Sequence, residues 1–202
     1  MSALDRHFIL GYGSLINGES RAKTGETGKV WPVKLHGFER HWSVMSVEYG
    51  MSSVAVIHAP EKACNGVLVE VPYDQFALFD EREKGYQRAV IDANQLTTYQ
   101  DHPLPEGTYW VYHTEDVIEP HHECPIALSY LDVILSGCLE HGDDFAQDFL
   151  TLTKGWTSPL LNDRKAPRYP RVQPELPTER LNTLLAPVTT LSIKELSVTY
   201  ES

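Results

Sequence analysis

The sequence predicts an α+β fold: a small curled mixed sheet or barrel surrounded by helices, followed by a C-terminal extension. Three observations carry this reading. Across residues 7–71, short runs of β-branched and aromatic residues alternate with Gly- and Asn-bearing breaks, as in an antiparallel or mixed sheet. Residues 72–84 and 125–153 change to helical period, bounded by Pro and Gly. From Gly155 onward prolines accumulate at Pro159, Pro167, Pro170, Pro174 and Pro177, which excludes regular helix or a central strand there.

In chain order, the apolar run His7 to Leu10 reads as a first strand. It meets Gly11-Tyr12-Gly13-Ser14-Leu15, where two glycines permit unusual backbone angles and close approach of a ligand. Residues 16–29 read as a polar loop around one helical turn. Residues 30–44 form one or two strands broken near Gly37, and residues 53–58 a short buried strand. Asn65-Gly66 marks a turn before a strand over 67–71. Asp74 is placed to cap the helix of residues 72–84, with Gly85 at its end. Residues 86–93 and 107–113 alternate as strands. Residues 125–140 form the longest helix, with Pro125 at its start and Gly142 beyond its end. A second helix covers 143–153, a helical turn 181–185 and a final strand 188–200. The domain boundaries expected are 5–154 for the main body and 155–202 for the extension, packed on the same domain.

Composition excludes several classes of function. The chain has 202 residues and a net charge of −11, which disfavours nucleic acid or an anionic membrane as partner. No apolar run approaches the roughly 20 residues of a membrane span, and residues 1–6 lack the blocks of a signal peptide. A cytoplasmic location is therefore expected. Cys64, Cys124 and Cys138 are odd in number, widely spaced and set in apolar surroundings, so buried reduced thiols are expected. His121-His122-Glu123-Cys124 lacks a matching ligand pair elsewhere and is not read as a metal site. The glycine loop is neither a dinucleotide fingerprint nor a phosphate loop. Ser14 is not on a nucleophile elbow, because Ile16 stands where Gly is required.

The carboxyl most suited to chemistry is Glu83. At 3.6 residues per turn it shares a stripe with Phe76 and Phe79, with Asp80 beside it, while Glu81 and Arg82 point away. Burial, the helix C-terminus and Asp80 all push its proton affinity upward, as a general acid/base near neutral pH requires. Surface pairing of Glu83 with Arg82, Lys84 or Arg88 is the competing reading. The helix 125–140 is apolar nearly all round. It carries Tyr130, whose hydroxyl serves either a ligand or the core, and Gly137, which admits a close backbone neighbour.

Three pieces together resemble the γ-glutamylcyclotransferase-like family, including its ChaC-type and related bacterial branches. They are Tyr12-Gly13-Ser14-Leu15 after the first strand, Arg82-Glu83 closely followed by Gly85-Tyr86, and the run from Tyr130 to Gly142. The likeness covers about residues 5–152. It implies an enzyme that releases 5-oxoproline from a γ-glutamyl amide or peptide by attack of the substrate's own α-amine, with glutathione among the candidate substrates. By this resemblance Glu83 is the general acid/base, with Glu81 as the alternative carboxyl. The backbone of Tyr12, Gly13, Ser14 and Leu15, together with Tyr130, binds substrate. The implied partner is a small γ-glutamyl molecule, and no metal or cofactor is needed. Two other functions fit the same residues: a non-catalytic binding or regulatory module, and a γ-glutamyl hydrolase in which the glutamate activates water. The basic residues Arg164, Lys165, Arg168 and Arg171 either fold over the site to meet a substrate carboxylate or pair with the acidic body.

Overall fold

The computed structural model describes residues 6–99, 102–156 and 160–189. Among them, seven strands form one mixed sheet curled into a half-barrel. Its backbone is a long hairpin of β2 (Val30–Ser46) and β3 (Met51–Glu70). β1 (His7–Gly11) lies antiparallel to β3 and parallel to β6 (Thr108–His113). β4 (Gln87–Ile91) closes one edge against β6. β5 (Leu96–Thr98) and β8 (Thr153–Lys154) pair with the outer side of β2. The core contains the fully buried side chains of Phe8, Trp42, Leu68, Phe145 and Phe149.

The hairpin is more continuous than its punctuation predicts. Gly37 does not break β2. It sits at φ +87° where the register with β3 shifts, so its conformational freedom serves a bulge. Asn65-Gly66 is not a turn but the interior of β3. A Cβ at Gly66 would stand 2.7 Å from the carbonyl oxygen of Gly11, so the glycine admits the neighbouring backbone. The carbonyl and amide oxygens of Asn65 accept hydrogen bonds from Arg40, and its Nδ2 donates to the carbonyl of Phe145. Tertiary partners here outweigh local turn propensity.

Arg40 is buried completely on β2. Its Nε donates to Thr153 Oγ1 (2.7 Å), and its Nη1 to the carbonyls of Tyr12 (3.3 Å) and Asn65 (2.5 Å). Its Nη2 donates to Asn65 Oδ1 (2.7 Å) and the carbonyl of Phe149 (3.2 Å). The guanidinium also lies over the ring of Phe149, 4.0 Å from its centroid. Every donor of the fork meets an oxygen. Burial lowers the proton affinity of Arg40. The nearby Cys64 and Cys138 thiols are pushed up by burial to about 11 and about 12, so they are neutral and give it no counter-charge.

Helices begin and end differently from the sequence reading where tertiary contacts intervene. α1 (Gly18–Ala22) follows the first bend, with Asn17 Oδ1 accepting from the Ser20 amide. A 3₁₀ turn at Tyr73–Gln75 precedes α2 (Phe76–Arg82), and the N-cap of α2 is Gln75 rather than Asp74. α3 (Leu128–Leu139) starts later than Pro125, because β7 (Ile126–Ala127) pairs with β9 (Leu160–Leu161). Asp163 then caps α3 from outside the helix, its Oδ1 accepting from the Ser129 amide at 2.8 Å. α4 (Asp143–Leu152) packs on α3 and β3. Its first-turn Asp143 and Asp144 complement the helix dipole.

α5 (Thr178–Thr189) is longer than the predicted helical turn and includes Val188. Val188 and Thr189 of the strand expected over 188–200 are helical, and residues 190–200 lie outside the described residues. No helix among the described residues is long and apolar enough to cross a membrane.

The guanidinium of Arg40 joins four segments of chain, and its removal leaves buried oxygens without donors. Arg40→Met is expected to lower unfolding free energy by at least about 3 kcal/mol in urea denaturation, with Arg40→Lys restoring only part of that loss. A change below about 1 kcal/mol would show that the network contributes little.

Candidate active site

The site is built on the end of β1. After Gly11 the chain bends through Tyr12 and Gly13 into a 3₁₀ turn over Ser14–Ile16. The first amides of such a turn lack partners within it and are available to an anion or a polarised carbonyl. The bend is held from several directions. The Tyr12 hydroxyl donates to the carbonyl of Tyr112 (2.7 Å), while Arg40 donates to the Tyr12 carbonyl. Arg21 donates to the carbonyls of Leu15 (2.9 Å) and Ile16. α3 presses on the far side of the turn at Gly137, where a Cβ would stand 2.4 Å from the Asn17 amide nitrogen. The close backbone approach expected of Gly137 is made to this bend.

The same approach brings Tyr130 over Gly13. A Cβ on Gly13 would meet the Tyr130 hydroxyl at 3.1 Å and a Val54 methyl at 2.9 Å, so a larger residue would displace that hydroxyl. The ring of Tyr130 packs edge-on to Tyr169, with centroids 5.0 Å apart. Burial raises the proton affinity of the phenol, which keeps it a hydrogen-bond donor at neutral pH.

Glu83 follows the last residue of α2, at φ −92° and ψ 24°. Its side chain is 16% exposed, and Oε1 accepts from Arg82 Nε at 2.9 Å. Burial is the leading influence on the carboxyl and raises its pKa, while Arg82 and then Arg171 pull it down. Asp80 is not the cause that the sequence suggests. Its oxygens are taken by Arg88 (2.8 and 2.9 Å) and by the Tyr112 hydroxyl (2.7 Å). Glu81, the alternative carboxyl, is 79% exposed and lies 3.8 Å from Lys84.

The helical stripe misplaces Arg82. Its side chain turns into the site, donating from Nη2 to Ser14 Oγ at 2.9 Å and from Nη1 to Thr24 Oγ1. Helical geometry stops at this residue, so projecting the stripe onward does not describe where its long side chain goes. The Glu83–Arg82 pair, which the competing reading places at the surface, sits mostly out of solvent.

Tyr12, Gly13, Ser14, Leu15, Glu83 and Tyr130 line one cavity of about 510 Å³. The cavity also brings in Tyr86, Tyr169 and Arg171, which the reading of individual residues did not single out as site residues. Tyr169 and Arg171 belong to the Pro-rich basic segment. Tyr169 donates its hydroxyl to Ser14 Oγ at 3.3 Å, and Arg171 donates from Nη2 to Thr24 Oγ1 at 2.8 Å. The segment is divided in use. Arg164 forms a two-pronged pair with Asp132 on α3, while Arg171 faces the cavity. The signal for this was the cluster of cations among prolines in an acidic chain.

Among the described residues, no group of three or more His, Cys, Asp or Glu side chains is arranged to hold a metal ion. His121 and Cys124 form a small backbone bridge.

Among the solved structures that share this architecture are two with TM-scores above 0.5. One, described as γ-glutamyl cyclotransferase, superposes with a TM-score of 0.58 at 13% identity, over 78% of this chain and 95% of that one. The other, an uncharacterized protein from Homo sapiens, gives a TM-score of 0.57 at 13% identity, over 89% of this chain and 98% of that one. The chain has the γ-glutamyl cyclotransferase fold. No family model and no curated protein sequence matches it. Within this cyclotransferase-like fold the cavity lies where the end of β1, the end of α2 and the first turn of α3 converge.

The electrostatics give a sign that titration can check. Carbon-13 NMR of labelled glutamate is expected to place the Glu83 midpoint above the ordinary 4.5, and Arg171→Gln is expected to raise it further. Because the folded-state pKa is raised, the contribution of Glu83 to stability is complete below the unfolded value. It declines as pH rises through the folded midpoint. A midpoint at or below 4.5 contradicts the burial argument.

Proposed function

We propose that the protein is a γ-glutamylcyclotransferase that releases 5-oxoproline from a γ-glutamyl amide or peptide. The observation that carries this reading is one carboxyl, Glu83, raised by burial and sharing a cavity with the glycine-bearing bend. The fold likeness to a γ-glutamyl cyclotransferase supports it.

In this mechanism the substrate's α-amino nitrogen attacks its own γ-carbonyl carbon. A carbon–nitrogen bond forms, closing a five-membered lactam, and the bond to the leaving amine breaks. The ionised Glu83 carboxylate takes a proton from the attacking nitrogen and returns one to the leaving nitrogen. Its raised pKa brings its proton affinity nearer neutral pH, where a single group serves as both base and acid. Arg82, bonded to both Glu83 and Ser14, holds the carboxyl in register with the bend.

The attack is intramolecular, so the main contribution of the protein is to fold the substrate into a reactive conformer. Backbone amides of the Tyr12–Leu15 bend hold the glutamyl carboxylate or the oxyanion that develops on the γ-carbonyl. Tyr130, poised over Gly13, orients the substrate with its hydroxyl. The chemistry calls for no metal or cofactor. The reading includes a cytoplasmic location, with glutathione among the candidate substrates.

A panel of γ-glutamyl amino acids, peptides and amines, assayed for 5-oxoproline, tests the proposal. At least one compound is expected to yield 5-oxoproline, and Glu83→Gln is expected to lower kcat/KM by about 10²–10⁴-fold. Free glutamate in place of 5-oxoproline would indicate the hydrolase. Absence of turnover across the panel would indicate a binding module, and full activity in Glu83→Gln would remove the residue from the mechanism.

A further inference from the structure

The cavity carries more positive charge than the proposed proton transfer uses. Arg82 is paired with Glu83. Arg171 is the second guanidinium in the cavity wall, and among the described residues it forms no ion pair within 4.0 Å. Its Nε is buried and has no hydrogen-bond acceptor among the described residues. Other charges at the cavity are already engaged or face solvent: Glu81 lies beside Lys84 at the rim, and Glu48 is hydrogen-bonded to Tyr49.

Arg82 and Arg171 also converge on one small group, each donating to Thr24 Oγ1. The two guanidiniums share that one hydroxyl, Glu83 is paired with Arg82, and the exposed Glu48 carboxylate forms no ion pair with Arg171. The Arg171 guanidinium is therefore left to meet an anion entering the cavity.

Arg171 is not a loose surface arginine. The strap that carries it is fastened to α3 on both sides of the Ser129 turn. Asp163 accepts from the Ser129 amide, the Ser129 hydroxyl and the Arg168 amide, and the Tyr169 amide donates to Ser129 Oγ. The Arg164–Asp132 pair adds two bonds of 2.6 and 2.8 Å. Lys23 donates to the carbonyl of Arg171 itself. Fastening of this kind reduces the entropy lost when the guanidinium takes up a ligand.

We propose that Arg171 is a specificity residue that binds a carboxylate on the leaving amine. The site then favours γ-glutamyl α-amino acids, which carry two carboxylates, over γ-glutamylamines, which carry one. This deepens the cyclotransferase reading and rests on it for the identity of the glutamyl group. The glutamyl carboxylate goes to the bend and the Arg82 side of the cavity, and the leaving group's carboxylate goes to Arg171. The unused Nε and the guanidinium charge supply a hydrogen bond and an attraction that an alkylamine leaving group lacks.

Binding separates this from turnover. Calorimetry compares γ-glutamylalanine with γ-glutamylethylamide on the Glu83→Gln protein, with and without Arg171→Gln. The two-carboxylate compound is expected to bind about 10–100-fold more tightly, as one charge-assisted contact implies. Arg171→Gln is expected to bring the ratio close to one, and Arg171→Lys to restore part of it. An unchanged ratio in Arg171→Gln overturns the proposal. So does a parallel loss for both ligands, which would assign Arg171 to the glutamyl carboxylate instead. Failure of both compounds to bind overturns it together with the cyclotransferase reading. Selective binding without 5-oxoproline from the Glu83-intact protein leaves the specificity intact and removes only the reaction.

Discussion

The structure depends on a buried guanidinium that meets only neutral oxygens. Arg40 ties β2 to β3 through Asn65, to α4 through Phe149, to β8 through Thr153 and to the glycine-bearing bend through Tyr12. A desolvated charge without an opposing carboxylate is tolerated only when its donors are matched, and here each of them is. The geometry of the fork dictates where the four segments stand relative to one another. The bend therefore inherits its position from the core and not from its own glycines, which only make that position sterically possible.

The site uses the opposite strategy. Burial raises the Glu83 carboxyl, and two arginines restrain the rise. Either influence alone would suit the proposed proton transfer poorly. Burial unopposed favours a permanently protonated acid, and arginines unopposed favour a permanently ionised one. Tyrosines around the carboxyl help keep it from water, and burial of Tyr86 and Tyr130 keeps those two phenols protonated as donors. Tyr130 reaches the bend only because Gly137, on the same helix, lets α3 settle against Asn17. Two glycines on different elements, Gly13 and Gly137, thus decide one contact between helix and bend.

The C-terminal strap gives the cavity its second face. Prolines prevent residues 160–177 from forming long regular elements, so the strap is held by side chains: Asp163 on Ser129, Arg164 on Asp132, Tyr169 on Ser14. The basic residues within it divide the labour. Arg164 fastens, while Arg171 is left to face the cavity. A segment that the sequence presents as a Pro-rich, locally basic extension completes the wall of the cavity.

By itself, the sequence determined the α+β class, most strands and the two long helices near 125–153, and its short motifs named the bend, Glu83 and Tyr130, which line one cavity. Each of these rests on local regularities: hydrophobic period, glycine placement and short motifs in order. Tertiary structure alone decided that Asn65-Gly66 continues a strand, because Arg40 and the Gly11 carbonyl supply partners from distant parts of the chain. It also decided that Arg82 turns inward, since its partners Ser14 and Thr24 lie on another element. Arg171 joins the cavity only after the strap is fastened to α3. Local pattern reports which face of an element is apolar. Where a long polar side chain ends is set by acceptors that folding brings to it, and no window of neighbouring residues contains them.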